Sequence, residues 1–304
     1  MQRASYLIIG GGPAGLTMAK MLSYFLLIFV TLHLFPYLIR KTKGTILMDI
    51  VHLSAIFLIL GLVGIVFYPG RVFLAARYRG MLGNPNGLGV YCSLIFPITL
   101  AMISLFPLAK RRLRLILLLV VISAILSGSR TTLGTIGIFY FLYVFYKRGS
   151  GLVFLLWAIV LPSIFLTTVG IERLVQLVGL GDFLRVESLT TGTGRFLAWQ
   201  MGLNEIARNP FIGRGFAYEE MFFHDLASFL VGTEHQGGMH NSYLTFILNN
   251  GYIGLLFFLA FLLILLSRVK AKGLGTPFII AMLIAATFES WLNSSLNAFT
   301  IHFF

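Results

Sequence analysis

A polar stretch between residues 192 and 254 carries side chains that could bind an anion at a membrane surface. Arg195, Arg214 and His240 are among the polar residues of this stretch, which lies between long apolar runs. A guanidinium is planar and permanently charged, so it suits the paired oxygens of a diphosphate better than a lysine does. We interpret the surface that carries these three residues as the active site.

The elements that must position these side chains follow from local signals in the same stretch. A helix is predicted to begin at Arg195, because apolar residues recur there at spacings of three or four. Asn209-Pro210 is predicted to end that helix, and residues 213–215 to form a tight turn. His240-Asn241 then opens the next apolar helix. The apolar face of the first helix is predicted to consist of Phe196, Trp199, Leu203 and Ile206.

The composition places these elements in a membrane protein. Of the 304 residues, 58% are hydrophobic and 11% are charged, with a mean hydropathy of +0.92, far from the values of a soluble domain.

Because a span needs about 20 apolar residues, we predict an all-α polytopic bundle of about eight transmembrane helices with one large extracytoplasmic loop that contains amphipathic helices. The predicted spans are 24–39, 46–68, 87–109, 113–128, 131–146, 151–170, 241–267 and 276–298. The predicted regions are an atypical leader at 1–22, transmembrane helices at 23–170, a catalytic loop at 171–240 and C-terminal transmembrane helices at 241–304.

The distribution of charge predicts the orientation of the chain. Four basic clusters without acids fall on one side of the predicted spans, which marks that side as cytoplasmic. The loop at 171–240 falls on the other side and holds eight of the ten acids. The net charge of +13 therefore reflects topology, and a nucleic-acid partner is not predicted. The clusters are Arg40-Lys41-Lys43, Lys110-Arg111-Arg112-Arg114, Lys147-Arg148 and Arg268-Lys270-Lys272.

Other polar residues allow competing interpretations. Each outer-face arginine could bind an anion or pair with an acid of the same loop. Glu289 is an acid within a predicted span and hence a functional candidate, although we expect it to pair with a buried polar group. Four loop residues together with His240 have the chemistry of metal ligands, but their irregular spacing predicts no metal site. These four are His224, Asp225, Glu234 and His235.

The amino-terminal residues 6–22 match a dinucleotide-binding fingerprint, with glycines at 10, 12 and 15 between a β-type run and a helical run. No acid follows about 20 residues later to hold a ribose, and a predicted span begins at once. The segment resembles the start of a flavoprotein, but no cofactor is predicted.

Five motifs occur along the rest of the chain in a recognisable order. Together they resemble the O-antigen ligase and polymerase family of bacterial membrane enzymes, over residues 46–304. The motifs are Arg79-Gly80 with GNPNGLG (83–89), SGSRTTLG (127–134), GRFLAW (194–199), NPFIGRG (209–215) and HNSYL (240–244).

The resemblance implies the chemistry. Family members transfer a glycan from an undecaprenyl-diphosphate carrier to a hydroxyl of a glycan, lipid or protein acceptor, on the outer face of the cytoplasmic membrane. They use no metal and no nucleotide sugar. The family's essential arginines fall on Arg130 and Arg195, and its essential histidine falls on His240. We expect Arg79, Arg214 and Asn241 to contact substrate.

Several alternatives stay open at this point. His240 is a candidate general base, or it orients the acceptor, contacts the diphosphate or only precedes a helix cap at Asn241. Arg195 could pair with Glu187 or Glu205, and Arg130 could extend its charge to the membrane surface. A polymerase is slightly favoured over a ligase. The rival functions are a polysaccharide transporter or flippase and a membrane-tethered flavoprotein.

Overall fold

The computed structural model of the chain describes residues 34–42, 44–74, 77–148, 195–215, 218–226, 238–268 and 274–289. The chain divides into two compact units. The bundle unit comprises residues 42–190 and 266–285, and the loop unit comprises 1–41, 191–265 and 286–304. The predicted fingerprint at 6–22 and the predicted span at 151–170 lie outside the described residues.

The described residues form ten α-helices and one short hairpin. In chain order they are α1 (Phe35–Lys41), α2 (Thr45–Phe67), α3 (Pro69–Val72), β1 (Phe73–Leu74), β2 (Arg77–Tyr78), α4 (Pro85–Leu105), α5 (Lys110–Leu126), α6 (Arg130–Arg148), α7 (Arg195–Ile206), α8 (Tyr218–Leu226), α9 (Ser242–Arg268) and α10 (Gly275–Ala285). A 3-10 turn at Pro107–Ala109 precedes α5. The strands pair antiparallel, with Phe73 opposite Tyr78.

Local chemistry explains where the helices of the bundle unit begin. Asn84 caps α4, because its side-chain oxygen accepts the amide of Gly87 at 2.6 Å and Pro85 stands at the first helical position. Ser129 caps α6, since its Oγ accepts the amide of Thr132 at 3.4 Å. Both helices therefore begin within a few residues of the predicted starts.

Helix α4 is the centre of the bundle unit and packs against α5 and α6, while α10 packs against α6 and α2 against α5. Apolar side chains such as Leu58, Cys92 and Leu113 are almost fully buried between these helices. One polar link crosses this core: Tyr91 donates to Ser54 Oγ at 2.8 Å. Ser54 Oγ in turn donates to a carbonyl of its own helix, so the buried hydroxyls are satisfied.

Three of the described helices are long and apolar enough to cross a membrane: Thr45–Phe67, Pro85–Leu105 and the Ser242–Ile264 part of α9. Apolar side chains remain exposed along them, as at Val66 and Phe257, which suits contact with lipid. The mostly helical membrane fold is confirmed, and the two-residue strands are its one departure in the described segments. The number of eight spans stays a prediction.

The loop unit has its own small core between α7, α8 and α9, formed by Ala198, Ile206, Phe223, Met239, Ile247 and Leu248. The predicted face of α7 is partly wrong. Leu203 is 49% exposed, whereas Glu205 is only 4% exposed. Glu205 lies on the buried side of the helix because it pairs with Arg214 and accepts the hydroxyl of Tyr218, and Gly202 faces Met239 because it leaves room for that side chain. The predicted end of α7 before Asn209-Pro210 is confirmed.

Helix α9 is broken at Gly251, whose φ of 68° and ψ of −178° are not helical. Residues 209–215, here called the NPFIGRG loop, pair with both sides of this break. The four bonds are Arg214 N to Leu248 O (2.8 Å), Gly215 N to Asn249 O (2.9 Å), Tyr252 N to Pro210 O (2.8 Å) and Ile253 N to Phe211 O (3.2 Å). Because an unpaired backbone group is costly in a bilayer, the loop makes the break tolerable within a candidate span.

Candidate active site

His240 occupies a backbone conformation that L-residues seldom adopt. Its φ is +47°, and it is the non-glycine residue with positive φ in the described part of the chain. The next residue, Asn241, caps α9 as predicted: its Oδ1 accepts the amides of Tyr243 at 3.0 Å and Leu244 at 3.1 Å. His240 therefore immediately precedes the cap of α9, and this residue is partly exposed.

The residue on the other side of His240 is held at both of its backbone groups. The indole Nε1 of Trp199 donates to the carbonyl oxygen of Met239 at 2.8 Å, and Glu219 Oε1 accepts the amide of Met239 at 2.8 Å. Met239 is fully buried and Glu219 is 7% exposed. A Cβ at Gly202 would overlap the Met239 sulfur, so glycine is required for this approach. The chain is thus fixed immediately before and after His240.

Further bonds tie this region to the remainder of the loop unit. The amide of Glu219 donates to Asn249 Oδ1 at 3.0 Å, which joins α8 to α9. At the start of α9, the amide of Ser242 donates to the carbonyl of Ala286 at 2.8 Å, and its Oγ donates to the carbonyl of Glu289 at 2.6 Å. The Glu289 residue is 8% exposed, so this acid is buried beside the start of α9.

Arg214, a predicted substrate contact, lies in a polar cluster at the other end of α7. Its Nη2 donates to Glu205 Oε1 at 2.6 Å, and its guanidinium lies 5.7 Å from the ring centre of Tyr218. In the amide orientation of Asn209 that satisfies both of its polar atoms, the side-chain oxygen of Asn209 accepts from Arg214 Nη1 at 2.8 Å. Glu205 also accepts from Arg208 at 2.8 Å. The guanidinium of Arg214 is therefore occupied by the protein, which favours a structural role.

The same cluster shifts the pKa of a tyrosine, Tyr218. Tyr218 donates its hydroxyl to Glu205 Oε1 at 2.9 Å. Burial raises the pKa of Tyr218, and the hydrogen bond and negative charge of Glu205 raise it further, although Arg214 and Arg208 oppose the effect. The phenol is therefore kept protonated over a wider pH range than a free tyrosine.

Arg195 is the first residue of α7, as predicted, and its side chain lies outside the described part of the structure. Its helix nevertheless has a fixed relation to His240. Trp199 lies one turn after Arg195 and donates to the residue before the histidine. The structure thus places the start of α7 and His240 in one unit, with α7 anchored beside the histidine.

Arg130, in the bundle unit, begins α6 directly after the buried turn at Ser127–Ser129, where Gly128 has a φ of 59°. Arg77 links this turn to the GNPNGLG motif. Its Nε donates to the carbonyl of Ser127 at 3.0 Å, and its Nη2 donates to Asn86 Oδ1 at 2.8 Å. Two of the motifs that carry the family resemblance are therefore in contact, and a residue outside both of them joins them.

Arg79, predicted to contact substrate, is engaged within its own hairpin. Its Nε donates to the carbonyl of Arg71 at 3.0 Å and its Nη1 to the carbonyl of Gly83 at 3.2 Å. These bonds hold the chain between β2 and α4 in place. Asn241 is likewise used as a helix cap, so the structure gives both predicted contacts a structural task.

Sequence reasoning missed the roles of four residues that organise these regions: Trp199 as a hydrogen-bond donor, Glu205 as the partner of Arg214, Glu219 and Arg77. The only sequence signal is that Glu205 and Glu219 each stand next to an apolar or aromatic residue, Ile206 and Tyr218. Nothing in the sequence indicated that Trp199 and Glu219 would meet at Met239.

The described residues contain no group of three or more His, Cys, Asp or Glu side chains arranged to hold a metal ion. The candidate ligands Glu234 and His235, and the side chains of His224 and Asp225, lie outside those residues.

The apolar helices and the broken span define a polytopic helical membrane protein. Residues 115–259 match the family model described as O-Antigen ligase. The match confirms over this range the resemblance seen in the motifs. The match indicates a membrane enzyme that transfers glycans. It includes Arg130, Arg195, Arg214 and His240, whereas Arg79 and Glu289 lie outside it. No curated protein and no solved structure matches the chain.

Proposed function

We propose that the chain transfers a glycan from an undecaprenyl-diphosphate carrier to an acceptor hydroxyl, with His240 as the general base. The observation that carries this proposal is the placement of His240. Its backbone is held in a left-handed conformation between the cap of α9 and the buried Met239, whose amide and carbonyl are both hydrogen-bonded to side chains. The residue lies within the range that matches the O-antigen ligase family model. Backbone strain of this kind is found preferentially at functional sites.

The proposed reaction is a displacement at the sugar carbon that bears the diphosphate. The acceptor oxygen forms a bond to this carbon, and the bond from the carbon to the phosphate oxygen breaks. The hydroxyl proton passes to the imidazole, and the lipid diphosphate departs with the bonding electron pair. A base near neutrality and cations beside the leaving group are the two aids that this step needs.

Arg195 and Arg130 are the proposed contacts to the diphosphate. A guanidinium can bind two phosphate oxygens at once and keeps its charge at any pH near neutrality. Arg214 and Arg79 are less suited, because carboxylate and carbonyl oxygens of the protein already occupy their donors. We place both in supporting roles, together with the capping Asn241. No metal or organic cofactor enters the proposed step.

The proposed location is the bacterial cytoplasmic membrane, with the site on its outer face. The support is the distribution of charge: the basic clusters are predicted to be cytoplasmic, and the acid-rich loop at 171–240 is predicted to be outside. Polymerisation of repeat units remains slightly favoured over ligation, because no particular acceptor surface is marked.

The test is a transfer assay on purified protein in nanodiscs, with lipid-diphosphate-linked glycan as donor and EDTA present. Wild type is compared with His240→Ala, Arg195→Ala and Arg130→Ala, and the folding of each is checked by thermal unfolding. We expect product from wild type and a loss of at least about 100-fold in each variant, the usual range for a general base or a charge-stabilising group. A glycan acceptor and a lipid acceptor offered separately distinguish polymerase from ligase.

Each outcome has a clear meaning. A folded wild type that forms no product with any donor would contradict the proposed function. A His240→Ala variant with wild-type rate would show that the histidine is not the base. Activity lost on adding EDTA would contradict the metal-independent mechanism.

A further inference from the structure

We propose that Glu219 and Trp199 are positioning residues for His240, and that they act through the backbone of Met239. The inference rests on the proposed function, because it assigns these two side chains a part in the same reaction. Neither is among the residues that the sequence motifs identify as a base or a phosphate contact.

The first support is the pattern of bonds around Met239. Its amide is bonded to a carboxylate from α8, and its carbonyl is bonded to an indole from α7, both at 2.8 Å. Buried backbone groups in a loop are more commonly satisfied by other backbone groups or by water. Here two large side chains from different helices converge on a single residue, the one before His240.

The second support is the conformation of His240. A left-handed backbone is unfavourable for a residue with a Cβ, so it persists only where the surroundings enforce it. The Asn241 cap fixes the chain on one side through the amides of Tyr243 and Leu244. Trp199 and Glu219 fix it on the other. Trp199 holds the peptide between Met239 and His240 through its carbonyl, and Glu219 holds the preceding peptide through the Met239 amide. Loss of either bond is therefore expected to loosen the chain before His240 and to shift the imidazole.

The third support is the rigidity of the two anchors. Glu219 is itself held, since its amide donates to Asn249 Oδ1 at 3.0 Å. Met239 is pressed against α7 where Gly202 leaves room for its sulfur. Trp199 thus fixes the position of His240 relative to α7, which begins at Arg195. Glu219 fixes it relative to Asn249, which lies in α9 just before the break at Gly251.

The test compares three substitutions with a matched control. Trp199→Phe removes the indole donor and keeps an aromatic body. Glu219→Ala removes the acceptor, whereas Glu219→Gln keeps an oxygen that can accept the Met239 amide. The control is Tyr91→Phe, which removes one hydrogen bond to Ser54 in the bundle unit and also keeps its ring. For each variant we measure kcat, KM for the lipid-linked donor, the pH dependence of kcat and the thermal midpoint.

We expect Trp199→Phe and Glu219→Ala to lower kcat by about 10- to 100-fold, because small displacements of a catalytic group have effects of this size. KM for the donor should change less than about threefold, since the proposed base does not bind the donor. Glu219→Gln should keep kcat within about threefold of wild type and the same pH dependence. Tyr91→Phe should keep wild-type kcat even if its thermal midpoint falls.

If Trp199→Phe does not fold, Gly202→Ala gives a second way to displace Met239, because the new methyl group would meet its sulfur. A lower kcat with unchanged KM is expected there too. The inference is overturned if all of the folded variants keep wild-type kcat. It is also overturned if Glu219→Gln is as slow as Glu219→Ala, since the charge and not the backbone bond would then matter. A wild type without His240-dependent activity would instead reject the proposed function itself.

Discussion

Arg214 donates from Nη2 to Oε1 of Glu205 at 2.6 Å, and this ion pair joins α7 to the break in α9. The backbone of the same arginine completes the link, because its amide donates to the carbonyl of Leu248 at 2.8 Å. The carboxylate is only 5% exposed, whereas the arginine side chain is 28% exposed. A buried acid thus holds the NPFIGRG loop in the position from which it pairs with the interrupted helix.

Loss of Glu205 should destabilise the protein strongly. We expect Glu205→Ala to lower the free energy of unfolding by about 3 kcal/mol, the lower end for a broken buried ion pair, because Arg214 retains some access to solvent. Arg208→Ala removes only the 70% exposed partner and should cost about 0.5 kcal/mol or less. Thermal unfolding in detergent measures both. Equal losses in the two variants would contradict the role assigned to the Glu205–Arg214 pair.

The raised pKa of Tyr218 predicts a pH dependence of stability. A phenol whose folded-state pKa is raised contributes stability that is fully present below its unfolded pKa of about 10 and is lost as the pH rises through the folded value. We therefore expect the thermal midpoint of wild type to fall more steeply above pH 10 than that of Tyr218→Phe. The difference between the two proteins removes contributions from the other tyrosines, including Tyr78. Parallel curves would be inconsistent with a partly buried phenol that is hydrogen-bonded to Glu205.

The sequence predicted the elements that depend on local signals. Asn209-Pro210 ended α7 and Asn241 capped α9, because each residue acts within about one helical turn of its own position. The apolar runs likewise marked the candidate spans. Such signals need no knowledge of the rest of the chain.

The residues that sequence reasoning misjudged depend on contacts across long separations. Trp199 was predicted as an apolar face residue, but its useful atom is an indole nitrogen bonded 40 residues away. Glu205 was considered only as a surface partner for Arg195, and it is buried because Arg214 and Tyr218 converge on it. Helical periodicity contains no information on such partners.

The break in α9 should depend on two glycines that meet across it. A Cβ at Gly251 would overlap the carbonyl of Phe211, and a Cβ at Gly213 would overlap the backbone of Asn250. Both also have positive φ, at 68° and 77°. We expect Gly251→Ala and Gly213→Ala each to cost at least about 2 kcal/mol in unfolding free energy, from backbone strain with steric overlap added.

Two other glycines separate the cost of backbone strain from the cost of steric overlap. Gly215 has a φ of 102° but open space around its Cβ position, so Gly215→Ala should show the cost of strain alone, about 1 kcal/mol. Gly134 is inside α6 with no neighbour in reach, so Gly134→Ala should be neutral or stabilising by up to about 1 kcal/mol. A ranking in which Gly215→Ala is as damaging as Gly251→Ala would argue against close approach of the loop to the break.

Asn241 can be tested for a contact with substrate independently of its role as a helix cap. Its Oδ1 accepts two amides of α9, so Asn241→Ala should cost about 1 kcal/mol in unfolding free energy, whereas Asn241→Ser and Asn241→Asp should recover most of it. If capping is its whole task, the transfer rate recovers in parallel with stability. Asn84→Ala, which removes the cap of α4, gives the matching cost of a lost cap in the bundle unit. A stable Asn241→Ser variant with a raised KM for donor or acceptor would instead assign the Asn241 amide group to substrate binding.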